Sequence, residues 1–192
     1  MSKSDEFRVF CKIVDGIFQR MGGFKKSADL LKLLFYAAFS NYSILKKADI
    51  PTIRTFKNNL LDLLEVSKAF TETGILREAD DLMAFSEISG LPSLSLYWDR
   101  SAKKDTPWDL FPRHINRNEF LKPLDGLQTI FDHKSLQDWK IIIEELFSSA
   151  LLQQSMFEFS GLIDNAVEIH DDLFKLIEIT HIIKVRRPYL DF

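Results

Sequence analysis

Along most of the chain, apolar residues recur at three- and four-residue steps, the spacing that turns one face of an α-helix toward a core. Phe7, Phe10, Val14, Ile17 and Met21 form the first such series. Ser4 or Asp5 can cap its start, and Gly22-Gly23 offers the left-handed stop that residues with a Cβ resist. Over 27–39 the run LLKLLFYAAF is apolar almost all round, which predicts a central helix touched on several sides. Ile53, Phe56, Leu60, Leu61, Leu63, Leu64 and Val66 predict a third helix over 51–70, since Pro51 is tolerated in a first turn. Ile75, Leu76, Leu82, Met83, Phe85 and Ile88 predict a fourth, stopped near Gly90.

Beyond residue 117 the helical period returns. A short helix over 118–131 is predicted, although Pro123 and Gly126 oppose it. Ser135 and Asp138 make a capping-box variant ahead of Leu136, Trp139, Ile143, Leu146 and Ala150, so a helix should run to about Phe157 and break at Ser160-Gly161. The last helix, 162–187, carries two adjacent apolar rows: Leu162, Ala166, Ile169, Leu173, Leu176 and Ile183, and Ile163, Val167, Phe174 and Ile177. That face is wider than one neighbour needs. The helix over 139–157 is one cover, and a symmetry mate is another, so a homodimer through the C-terminal helices is expected. No alternating segment with a partner strand occurs. The fold class is therefore all-α, a bundle of six to seven helices in one domain spanning 1–192. A weak seam at 91–117 divides an N-terminal helical part, 1–90, from a C-terminal one, 118–192.

The seam is the one long stretch without helical spacing. Its sequence over 91–112, LPSLSLYWDRSAKKDTPWDLFP, holds two of the three tryptophans and three of the six prolines. Tyr97, Trp98, Trp108, Leu110 and Phe111 are too apolar for a solvated linker, which predicts an ordered loop packed on the helices. Tyr97, Trp98, Arg100, Trp108, Phe111 and Arg113 are the candidate partner-binding residues, because Trp, Tyr and Arg are the usual interface anchors.

Composition adds a little. Seventeen phenylalanines against seven glycines suit bulky helix packing. The single cysteine, Cys11, shares the apolar face of the first helix and excludes an internal disulfide framework. With no apolar leader in MSKSDEFRVF and no apolar run long enough for a bilayer, a cytoplasmic protein without membrane contact is expected. The net charge of −3 is unevenly spread: residues 1–60 hold eleven Lys/Arg against five Asp/Glu, and residues 61–192 fourteen against twenty-three. The basic first third is the compositional hint of an anionic partner.

Standard catalytic signatures are missing, including the Gly-x-Ser-x-Gly elbow, the phosphate loop and His-Glu-x-x-His. RNA-cleaving HEPN bundles are similar in overall class. Their Arg-x(4–6)-His motif does not occur here. Glu178 and His181 form one Glu-x-x-His pair, and a di-metal carboxylate bundle needs two. A metal-dependent enzyme using His170, Glu178 and His181 is thus a minor alternative. Adjacent carboxylates such as Asp171-Asp172 should point about 100° apart on a helix. Asp164, Glu168, Asp171, Lys175 and Glu178 read as a solvated stripe.

Between the second and third helices, SNYSILKKADIPTIRTFKNNLLDLL resembles a helix-turn-helix layout. That resemblance implies a DNA-binding unit at 43–60, with Lys46, Lys47, Arg54, Lys57 and Asn58 as candidate nucleic-acid contacts and Thr52, Thr55 and Asn59 exposed beside them. Asp49 stands where glycine is usual, and Thr55 and Asn58 where apolar residues are usual. The leading expectation is a non-catalytic helical binding or adaptor protein without a cofactor, acting through protein–protein contacts or self-association.

Overall fold

The computed structural model describes residues 3–40, 44–46, 49–73, 113–152 and 165–186, and within them the long apolar-periodic segments are helices. In chain order these form α1 (Lys3–Met21), α2 (Phe24–Phe39), α3 (Ile50–Glu72), α4 (Arg117–Leu121), α5 (Pro123–His133), α6 (Leu136–Leu152) and α7 (Ala166–Arg186). Among the described residues there is no strand, and the fold is an all-α helical bundle. The helix predicted over 75–90 and the aromatic stretch over 91–112 lie outside the described residues, as does 153–164.

The punctuation follows backbone chemistry. Gly22 and Gly23 take φ of 84° and 95°. Their amides donate back to the Gln19 and Phe18 carbonyls at 3.1 and 2.8 Å, the paired bonds that close a helix end through a left-handed residue. The Gly23 carbonyl then accepts from Ser27, so α2 starts at Phe24, three residues before the predicted start. At the other end of the chain, the single helix predicted over 118–131 is two helices. Pro123 disfavours helical backbone at the residue before it, and Lys122 sits at φ −122°, ψ 73° between α4 and α5. Gly126, which looked like a weakness, is a close-approach site. A Cβ there would stand 2.9 Å from Ile179 Cδ1 and 3.2 Å from Glu119 Cβ, so glycine lets α5 lie against α7 and α4.

Helix α2 occupies the middle, packed most extensively on α6 and also on α7, α1 and α3. Leu31, Leu34, Phe35, Ala37 and Ala38 are buried there, as the almost wholly apolar sequence predicted. Cys11 is a buried core residue of α1. Trp139 of α6 is wholly buried, and its indole Nε1 donates to the Ile130 carbonyl at 3.1 Å. Ser135 and Asp138 form the predicted cap: the Asp138 amide donates to Ser135 Oγ at 3.2 Å, and the Ser135 amide to Asp138 Oδ2 at 3.0 Å.

The covering of α7 differs from expectation. Its main neighbours are α5 and α2, with α1 and α4, while α6 packs on α2 and α3. Ile169, Leu173, Leu176 and Ile183 of one row and Phe174 and Ile177 of the other are buried within the chain. Val167 is 76 % exposed. Among the described residues, most of the two apolar rows is therefore covered within the chain, with Val167 left exposed. Among the described residues no helix is long and apolar enough to cross a membrane.

Candidate functional site

Four consecutive backbone amides at the start of the second half of the chain are all taken by carboxylates. Arg113 N–H donates to Glu178 Oε1 at 2.8 Å, and the His114 and Ile115 amides donate to Glu178 Oε2 at 2.8 and 3.2 Å. Asn116 N–H donates to Glu119 Oε2 at 2.7 Å, while Glu119 N–H returns a bond to Asn116 Oδ1 at 3.0 Å, a full capping box at the start of α4. Glu119 also accepts from Lys175 of α7 at 3.1 Å. Glu178 is 4 % exposed. Burial raises its carboxyl above the ordinary range, and the three amides and the Arg113 charge pull the other way. A buried carboxylate is costly without hydrogen bonds, and here segment 113–115, which bends at His114 and Ile115, supplies them.

That segment delivers His114 to the N-terminal half of α7. Its ring stacks on Phe174 at 4.4 Å and meets His170 edge-on at 5.5 Å. His170 is fixed in turn by Phe35 of α2, edge-on at 5.0 Å, and by Phe174 at 4.6 Å. One oxygen, Asp171 Oδ1, lies 3.3 Å from His114 Nδ1 and 3.1 Å from His170 Nδ1. Burial lowers the His114 pKa, opposed by the Asp171 hydrogen bond and charge; the His170 and Lys32 charges lower it further. Burial works against the Asp171 charge, yet the hydrogen bonds from His170 and His114 prevail and hold its carboxyl below the ordinary range.

Asp172, the next residue, points elsewhere, as the helical angle predicted. It is buried against the side of α7 that carries Glu168, near His133 and Lys134, and Oδ2 has no hydrogen-bond partner among the described residues. Burial raises its pKa against the pull of Lys134 and Lys175. The solvated-stripe reading thus needs correction. Glu178 is buried, Asp171 sits between two imidazoles, and Glu168 and Lys175 pair with Lys134 and Glu119. Only Asp164 of that set lies outside the described residues.

Among the described residues, two groups bring three ligand atoms of His or carboxylate type within 4.8 Å of one another: His114, His170 and Asp171, and His133, Glu168 and Asp172. The expected trio of His170, Glu178 and His181 is neither of them. Glu178 is occupied by amides, and His181 stacks on Phe24 at 4.3 Å with Phe18 at its edge, as a packing residue does.

Of the predicted partner-binding residues, Arg113 is exposed at the end of the Glu178-bound segment. Tyr97, Trp98, Arg100, Trp108 and Phe111 lie outside the described residues. Of the nucleic-acid candidates, Lys46, Arg54 and Asn58 are exposed, and Lys47 lies outside the described residues. Lys57 is drawn inward: its ammonium pairs with Glu144 of α6 at 2.6 Å and lies 4.9 Å above the Phe147 ring. Asn59, predicted to be exposed, is buried, accepting from Arg20 Nε at 2.7 Å and donating to the Thr55 carbonyl at 2.9 Å. Arg20 also rims a surface cavity of about 280 Å³, with Lys26, Thr52, Thr55 and Phe56, where α1 ends and α2 and α3 begin. The described part of the connection, 44–46, is not helical.

The chain matches no protein-family model, and no curated protein or solved structure matches it at a significant level. The geometry therefore carries the functional argument alone. The sequence grouped His170 and Glu178 with His181, whereas the fold brings His114 and Asp171 to His170 and backbone amides to Glu178. Two signals were present: Asn116-x-x-Glu119 announced a helix start, and Arg113-His114 directly precedes it.

Proposed function

We propose that this protein is a non-catalytic helical binding protein, with residues 97–113 as the region that meets a partner protein. The observation that carries the reading is the grip of Glu178 on the amides of residues 113–115. It fixes residues 113–115, which directly follow the aromatic-rich stretch in sequence, to a rigid helix and leaves the Arg113 side chain at the surface. Anchoring a binding segment beforehand lowers the ordering entropy that association must overcome. Tyr97, Trp98, Arg100, Trp108 and Phe111 then supply the residue types that dominate interface energies.

Tryptophan fluorescence tests this directly, because Trp139 is wholly buried and its shielded emission can be removed by substitution. In a Trp139→Phe variant, the remaining emission comes from Trp98 and Trp108 and should be quenched readily by acrylamide. Emission as shielded as that of a core indole would show that both residues tether the stretch to the helices, and the reading would fail. If the partner is a second copy of the chain, light scattering at tens of micromolar should return twice 22.3 kDa. That mass should fall back on Trp98→Ala plus Trp108→Ala, since α7 has little apolar surface left to offer.

A further inference from the structure

We infer that His114, His170 and Asp171 form a binding site for one divalent transition-metal ion of the zinc class. The argument begins with distances. Zinc held at about 2.0–2.1 Å by imidazole nitrogen and carboxylate oxygen in tetrahedral geometry sets its ligand atoms about 3.3–3.4 Å from one another. The two nitrogen–oxygen separations at Asp171 Oδ1, 3.3 and 3.1 Å, already lie close to two edges of that tetrahedron. One ligand atom from each of the three residues falls within 4.8 Å of the other two, so small side-chain rotations bring the set to metal-binding distances.

The ligand chemistry selects the metal class. Two imidazoles and one carboxylate suit zinc, cobalt or nickel, whereas magnesium and calcium prefer all-oxygen sets. Binding requires each Nδ1 to present its lone pair, so a neutral ring protonated at Nδ1 shifts that proton to Nε2 through solvent, and a doubly protonated ring releases its Nδ1 proton to solvent. Both rings are held in place before any ion arrives. His114 is fixed through the Glu178-bound backbone and the Phe174 stack, and His170 is wedged between Phe35 and Phe174. The His170 and Asp171 side chains are 33 % and 48 % exposed, which gives an ion a path in and leaves a fourth position for water.

The second group is a poorer ligand set. It has one imidazole, and Glu168 is already paired with Lys134. It therefore serves as a built-in control. An ion at the first site would join segment 113–115 to α7 at a second point, tightening the anchor beside residues 97–113.

Tag-free protein stripped with a chelator should bind cobalt(II) at one equivalent, with the intense visible bands of a four-coordinate ion, and should bind zinc in competition with it. His170→Ala and Asp171→Asn should each weaken binding by about tenfold or more, whereas His133→Ala should leave it unchanged. Circular dichroism checks that each variant is folded. On the wild-type protein, zinc should shift the ring resonances of His114 and His170 in proton NMR and leave those of His133 and His181 in place, a readout that needs no variant. No binding, binding that survives both substitutions, or equal shifts at all four histidines would overturn the assignment.

Discussion

Helices α2 and α7 are both packed on several sides, yet they fill their surroundings with different chemistry. Helix α2 buries Leu31, Leu34, Phe35, Ala37 and Ala38, and Ser27 is its buried polar side chain. Helix α7 buries a comparable set of leucines and isoleucines together with Asp172, Glu178, Thr180 and His181. The hydroxyls satisfy themselves: Ser27 Oγ donates to the Gly23 carbonyl and Thr180 Oγ1 to the Leu176 carbonyl, both at 2.7 Å. Asp172 keeps one oxygen without a hydrogen-bond partner among the described residues, whereas Glu178 and His181 draw partners from other elements. Glu178 takes the amides of 113–115, and His181 takes the rings of Phe24 and Phe18. A helix that is apolar all round is held by packing alone. One that buries carboxylates is held by whatever segment comes to meet them, and that is where sites form.

The largest effect should come from α2. Leu34→Ala removes a fully buried side chain from the centre of the bundle and should cost about 2–5 kcal/mol in denaturant unfolding. A loss under about 1 kcal/mol would mean that the core around α2 relaxes freely, and the contrast with α7 would disappear.

Glu178→Gln should cost less, about 1–3 kcal/mol, because one oxygen becomes an NH2 group that faces backbone donors and leaves part-buried amides without their acceptor. Hydrogen exchange should localise the change. The amides of Arg113, His114 and Ile115 should exchange faster while those within α2 keep their protection. Uniform acceleration would show that Glu178 supports the whole bundle rather than one segment.

Asp172→Asn should act in the opposite direction and by a smaller amount. Burial raises the folded-state pKa of Asp172, so between the ordinary aspartate range and that higher value the folded protein holds a proton that the unfolded chain has released. Stability therefore falls as pH rises through this window, and the full penalty persists at neutral pH. The asparagine variant should be more stable than wild type at pH 7, and the difference should vanish at acid pH, where both unfolded and folded Asp172 are protonated. Equal stability at pH 7 would show that Asp172 has found compensation. Val167→Lys, on the exposed edge of α7, should stay within about 0.5 kcal/mol of wild type and leave the mass in light scattering unchanged. A drop in mass would restore a contact through α7.

Much of this molecule was legible from short-range chemistry. The period of apolar residues, Gly22-Gly23 with their positive φ, and the Ser135–Asp138 cap each act within a few residues of chain, so α1, α2, α3 and α6 could be placed before any fold was known. Pro123 was legible too, and its effect on Lys122 split one expected helix into two. The helix-turn-helix resemblance failed to foresee Asn59 and Lys57, whose partners Arg20 and Glu144 lie 39 and 87 residues away.

The candidate site belongs to the same long-range class. On a helical wheel Asp171 and Glu178 look like surface acids, since nothing local distinguishes a solvated carboxylate from one that will be covered. Only the folded bundle decides that segment 113–115 crosses α7, a separation of 63–65 residues from Glu178, and brings His114 to Asp171 and His170. Local propensities choose helices because their hydrogen bonds close within four residues. The partners of buried charges are set by packing between distant segments, and that is a property of the tertiary structure alone.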